Sequence, residues 1–156
     1  MKISKTYQLA REFKKKYPST VAWRIGSHCK VIDKHLNDGE EVLYVFLGQK
    51  NRSSFDFVNT NIVVLTNKRL LFATKRLLFG YFFTSVTLDM FNDLSVRENL
   101  FWGRVVIDTL NEKISLSNIS KSALPEIETQ ISEFMFNQEN SVNKEKKKER
   151  LKKSEE

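Results

Sequence analysis

The chain is poor in the residues that staple or punctuate small folds: 156 residues hold five glycines, two prolines and one cysteine, Cys29. A lone cysteine excludes an intramolecular disulfide framework and fits a reducing compartment, so a cytoplasmic location is expected. So few glycines leave little material for a phosphate-cradling loop, and no Walker loop, GxGxxG or GxSxG occurs. Long apolar runs are missing as well. Nothing approaches the roughly 20 consecutive residues that a bilayer-spanning helix needs. The start, MKISKTYQLAREFKKKYP, has no apolar core of the kind that marks a secretory signal.

What the chain does have is apolar material and positive charge. It is 40% hydrophobic and 29% charged, with 12 Phe, which is enough to build one domain core. The net charge of +7 points toward nucleic acid or a membrane surface. Its distribution weakens that inference, because residues 1–34 carry a net +7 and residues 144–156 a net +3, leaving 35–143 at −3. The basic charge belongs to the two ends, and the expected folded body is slightly acidic.

Periodicity supplies the elements. Ile3, Tyr7, Ala10 and Tyr17 recur at helical steps with lysines between them, which predicts a basic amphipathic helix stopped by Pro18. It either docks on the body or lies on a membrane surface, and docking is the simpler expectation. A second helix is predicted from a cap at Ser27 through Val31, Ile32 and Leu36 to the turn Asn37-Asp38-Gly39. From Glu41 onward β-branched and aromatic residues take over. EVLYVFLGQK reads as a strand, and NIVVLT (61–66) with RLLFAT (69–74) reads as a hairpin about Asn67-Lys68. The pentapeptide KRLLF occurs twice, at 68–72 and 75–79. Seven residues is a heptad on a helix, but the β-branched neighbours on both sides argue for sheet, so the two copies are expected to do different jobs. The first becomes a strand, and the second lies in a connection ending at Gly80, before the strand YFFTSVTL. Leu70, Phe72, Tyr81 and Phe83 are expected in the core. Strands LSVREN (94–99), RVVIDTL (104–110) and ISLSNI (114–119) come next, the last with Ile114 and Leu116 inward and Ser115 and Ser117 wet. Leu124, Ile127, Ile131 and Phe134 then make one helical stripe, capped by Ser122, that should cover the open end or edge of the sheet.

About seven short antiparallel strands closed by a C-terminal helix is the pleckstrin-homology architecture. LNDGEEVLYV (36–45), VVLTNKRLLFAT (63–74), LFWGRVVIDTLNEKISLSNI (100–119) and SALPEIETQISEF (122–134) resemble the bacterial pleckstrin-homology-like domains of the YokE-like type. The resemblance implies a mainly β fold with helices: a barrel or sandwich, N-terminal helices and a C-terminal cap. It also implies a small bacterial or phage-encoded binding or scaffold domain. Residues 1–35 then form a basic helical segment, 36–138 the domain, and 139–156 a charged, disordered tail. Lipid-binding members of the wider superfamily hold inositol phosphates with several cations around the first hairpin. Here that place offers Lys50 and Arg52, with Asp56 close behind.

Little catalytic chemistry is present. His28 and His35 lie two turns apart on a helix, about 10 Å along its axis, too far to share an ion unaided, and no metal is expected. Cys29 has no identifiable base and reads as a small core residue. Glu40-Glu41 and the pair Glu126/Glu128 lack the apolar surroundings that tune an acid catalyst. No enzyme activity, cofactor or small-molecule substrate is inferred. A protein partner or self-association is expected through barrel loops and strand edges, with Phe101 and Trp102 as interface candidates. The alternative is an anionic partner, nucleic acid or membrane lipid. It would be bound through the basic ends, Lys14, Lys15 and Lys16 and then Lys146, Lys147 and Lys148.

Overall fold

The computed structural model describes residues 2–50 and 59–154. Two helices, α1 (Lys5–Lys16) and α2 (Ile25–His35), precede seven strands: β1 (Val42–Gln49), β2 (Thr60–Thr66), β3 (Leu70–Lys75), β4 (Tyr81–Val86), β5 (Phe91–Glu98), β6 (Gly103–Thr109) and β7 (Lys113–Ile119). Helix α3 (Leu124–Ser154) closes the order.

The strands lie in the order β4-β3-β2-β1-β7-β6-β5, all neighbours antiparallel. β1 and β7 meet only at Gln49 and Ser117, where the sheet bends on itself. The result is an open sandwich, with β4 and β5 as free edges among the described residues. The bend corrects one expectation. Ser117 is buried, because it faces the bend, where its hydroxyl donates to Asn118 Oδ1 at 2.8 Å.

Helices α1 and α2 pack on the β1–β3 half, and α3 packs on β5 and β6. Covered on both faces, β2 is buried at every residue, which is why TNIVVLT reads as a continuous run with little alternation. Helix α1 starts at Ser4, whose hydroxyl accepts the Tyr7 N–H, and docks through Ala10, Phe13 and Tyr17. Phe13 meets Tyr17, Tyr44 and Phe46 in an aromatic cluster. The docked reading of α1 therefore holds. Ile3 lies outside its buried stripe. Two expected caps shift: Ser27 lies inside α2, which starts from Arg24 in the left-handed region, and Ser122 lies in a 3-10 turn before α3. Beyond Gln138 the charged segment continues α3 as exposed helix to Ser154.

One buried ion pair ties the first half together. Arg69 reaches both oxygens of Glu40, through Nε to Oε1 at 2.9 Å and Nη2 to Oε2 at 3.0 Å. The same guanidinium donates to the His35 carbonyl at the end of α2 and to Ser85 on β4. Burial alone would raise the Glu40 pKa. The hydrogen bonds from Arg69, the Asn37 N–H and the Thr66 hydroxyl outweigh it and hold the carboxyl near 2.

Close packing sets a second constraint where β6 begins. A Cβ on Gly103 would lie 2.7 Å from the Leu124 methyls, so glycine lets the first turn of α3 approach the strand. Gly103→Ala should destabilise the fold by about 1–3 kcal/mol, as overpacking does. Arg69→Leu leaves a buried carboxylate unpaired and should cost more, about 3–5 kcal/mol. Urea unfolding of the two variants measures both.

Candidate interaction surface

The two copies of KRLLF have opposite fates. In the first, Leu70, Leu71 and Phe72 are at most 2% exposed on β3. In the second, Leu77, Leu78 and Phe79 are 67%, 80% and 83% exposed in the β3–β4 connection. That connection is built by a tight backbone reversal. Arg76 N–H donates to the Gly80 carbonyl at 3.1 Å, and Gly80 sits at φ +74°, a conformation that favours glycine. With the chain turning so soon, the three apolar side chains have no core to reach.

The surroundings extend this apolar tip. Tyr81 and Phe82 open β4 exposed, and the Arg76 guanidinium lies over the Phe82 ring, 5.4 Å from its centre. Phe83 stacks on His35 at 4.0 Å, and Tyr81 Oη lies 3.1 Å from His35 Nε2. Trp23, 59% exposed, is brought beside the hairpin base by a buried histidine. His28 Nδ1 accepts the Lys75 N–H at 2.8 Å, so its Nε2–H donates to the Trp23 carbonyl at 3.0 Å. Arg24 reaches the same base, with Nη1 at 3.5 and 3.4 Å from the Lys75 and Arg76 carbonyls. Arg24, Lys75, Arg76 and the tip thus form one basic and apolar surface, with the backbone of the exposed Trp23 bonded at its base. Tyr81, expected in the core, belongs to it instead. The cue in the sequence was the absence of polar turn residues between Arg76 and Gly80.

The other candidate residues fall elsewhere. Lys50 is exposed just past β1, while Arg52 and Asp56 lie outside the described residues. Lys14 Nζ donates to the Pro18 and Thr20 carbonyls, and Lys16 pairs with Glu126 at 2.8 Å, so two of the three N-terminal lysines are engaged within the molecule. Glu126 also accepts from Tyr44 and thereby joins α1, β1 and α3. Lys15 is exposed. Lys146, Lys147 and Lys148 sit on the exposed part of α3, with Lys146 roughly 30 Å along the axis from Glu126. The structure therefore does not gather the basic ends into one site. Phe101 is 70% exposed at the β5–β6 turn, and its ring meets Trp102 edge-on at 5.9 Å. Trp102 is half-buried and folded back, its indole N–H donating to the Ser19 carbonyl at 3.2 Å.

Chemistry elsewhere is sparse. Cys29 is buried, and burial pushes its thiol up to about 12, far from a thiolate nucleophile at neutral pH. Among the described residues no cluster of three or more His, Cys, Asp or Glu could hold a metal ion, and no helix is long and apolar enough to cross a membrane.

Fold and surface together define a small antiparallel sandwich of pleckstrin-homology type that exposes apolar loops. Residues 36–133 match the family model described as a bacterial PH domain, and the chain belongs to that family. Two solved structures are similar. One is the pleckstrin homology domain from Shewanella amazonensis SB2B, at 15% identity and a TM-score of 0.46 over 68% of this chain and 83% of that one. The other is a DUF1696 family protein with a pleckstrin-homology domain from Shewanella loihica PV-4, at 18% identity and 0.44 over 68% and 91%. No curated protein matches the chain.

The His28 staple makes the hairpin base sensitive to acid. Burial, which disfavours the charged ring, and the nearby Arg24 charge lower its pKa from 6.5 to about 4 against the opposing bond to the Trp23 carbonyl. The unfolded chain takes up that proton first, so the contribution of His28 is complete above pH 6.5 and disappears as the pH falls toward 4. The urea midpoint should fall across that window, by a stability change on the order of 3 kcal/mol, and His28→Gln should flatten the fall.

Proposed function

We propose that the chain is a non-catalytic interaction module that takes a protein strand, most simply from a second copy of itself, at the free edges of its sheet. The observation that carries this reading is the β5 margin. An eight-residue edge strand ends in a turn that holds Leu100 and Phe101 outward at 79% and 70% exposure. An unpaired edge offers a row of backbone donors and acceptors, and adjacent apolar side chains supply the desolvated centre that such pairing needs. Trp102 supports the turn from behind, through its bond to Ser19, and so sets the direction of Phe101. Pleckstrin-homology-like domains are generally non-catalytic binding modules, which agrees with a surface of edges and loops.

Light scattering at physiological salt tests the reading on the full chain. The wild type should show a defined multiple of the chain mass, and Leu100→Ser combined with Phe101→Ser should return it to a monomer without loss of fold. A wild type that stays monomeric at every concentration removes the second copy as the occupant of this edge.

A further inference from the structure

The β3–β4 hairpin is a different surface, and its chemistry selects a different occupant. We propose that it docks the protein on an anionic lipid bilayer: Leu77, Leu78, Phe79 and Phe82 enter the boundary between headgroups and acyl chains, with Arg24, Lys75 and Arg76 at the lipid phosphates.

Four observations carry this. The apolar side chains are contiguous at the tip of a hairpin, and no charged residue interrupts 77–88. A protruding tip of this kind inserts into a soft interface more readily than it fits a flat protein surface, and insertion by about 5–10 Å is the depth at which amphipathic segments settle. Charge points in the same direction, since the chain from 57 to 88 contains no Asp or Glu but holds Lys68, Arg69, Lys75 and Arg76. Arg69 is committed to Glu40, while Lys75 and Arg76 border the tip and Arg24 lies against their carbonyls. A second copy meeting this surface face to face would set those cations against one another, whereas anionic headgroups neutralise them. Tyr81 follows the tip directly, and Trp23 is exposed on the segment whose backbone is bonded at the hairpin base; both are residue types that settle at a membrane–water interface. Leu77 and Leu78, at the centre of the tip, offer nucleic acid no stacking face, whereas a bilayer interface takes both them and the exposed rings. Insertion of Leu77, Leu78 and Phe79 into the interface needs no inositol phosphate pocket.

The test uses the full chain with vesicles of phosphatidylcholine alone and with about a third phosphatidylserine. In a Trp102→Phe background Trp23 is the remaining indole, because the chain holds two tryptophans. Its emission should shift to the blue on the mixed vesicles and stay unchanged on the neutral ones. Leu78→Ser with Phe79→Ser should weaken binding at least tenfold. Lys75→Gln with Arg76→Gln should weaken it severalfold and flatten its salt dependence. Because these side chains are exposed, the urea midpoints of both variants should match the parent. Binding that survives the serine pair, that ignores the anionic lipid, or that inorganic phosphate alone displaces would overturn the proposal. The mass of the serine variant separates this outcome from the edge reading: it should assemble as the wild type does, whatever happens on lipid.

Discussion

The guanidinium of Arg69 is the point on which the first half of the sandwich converges. It meets the buried Glu40 with two bonds, the last carbonyl of α2 with a third and Ser85 of β4 with a fourth. Those partners come from the turn before β1, the C-terminus of a helix and the outer edge strand. Removing two charges from water is expensive, and bidentate geometry with satisfied neighbours is what makes such a pair tolerable. Once it forms, the helix end, the β2–β3 turn and β4 cannot move independently. The position of β4 then fixes where the β3–β4 connection leaves the sheet, so a contact deep in the fold aims a loop at the surface.

The second half is held by apolar packing. Leu124, Ile127 and Ile131 of α3 lie against β5 and β6, and Gly103 permits the close approach of the helix start. Lys16, Glu126 and Tyr44 join this half to α1 and β1 with polar contacts at partly exposed positions. Among the described residues two free edges remain at opposite ends of the strand order, each next to an exposed apolar turn. A domain arranged in this way presents two separate surfaces to solvent.

Much of this fold was legible in the sequence. Period-two and continuous apolar runs located the strands, the switch to a 3.6 period located α3, and the stretches from Leu36 to Phe134 gave the family. The misses have physical reasons. Ser117 looked solvent-facing by alternation, but the sheet bend turns its position inward toward Gln49. Tyr81 looked like core because aromatic residues usually are, yet β4 is an edge whose first residues lie beyond the helix cover. Lys14 and Lys16 looked like a free basic patch, since composition does not reveal which carbonyl or carboxylate a long side chain will reach. The polar segment after Gln138 looked unable to fold on its own, but it continues a helix already nucleated by the packed turns before it. The exposed hairpin was hidden most thoroughly, because its five letters are the same as those of a core strand.

That identity has a consequence for how the chain finds its register. While the sheet assembles, β2 meets two segments with the same Arg-Leu-Leu-Phe pattern, and either would offer its edge the same side chains. The native choice closes a three-residue connection, Asn67 to Arg69, whereas the competing one would close ten residues, 67–76. Loop-closure entropy favours the shorter by only about 1 kcal/mol. Discrimination must therefore come from the residues just beyond each copy. After the first comes Ala73-Thr74-Lys75, with Thr74 bonded to the Thr60 carbonyl and Lys75 to His28. After the second comes Gly80-Tyr81-Phe82, which lacks the threonine hydroxyl at the second place and sets bulky rings where Thr74 and Lys75 lie. The folding funnel of this protein is thus narrowed by three residues beyond the repeat, and the repeat itself is a source of frustration that they resolve.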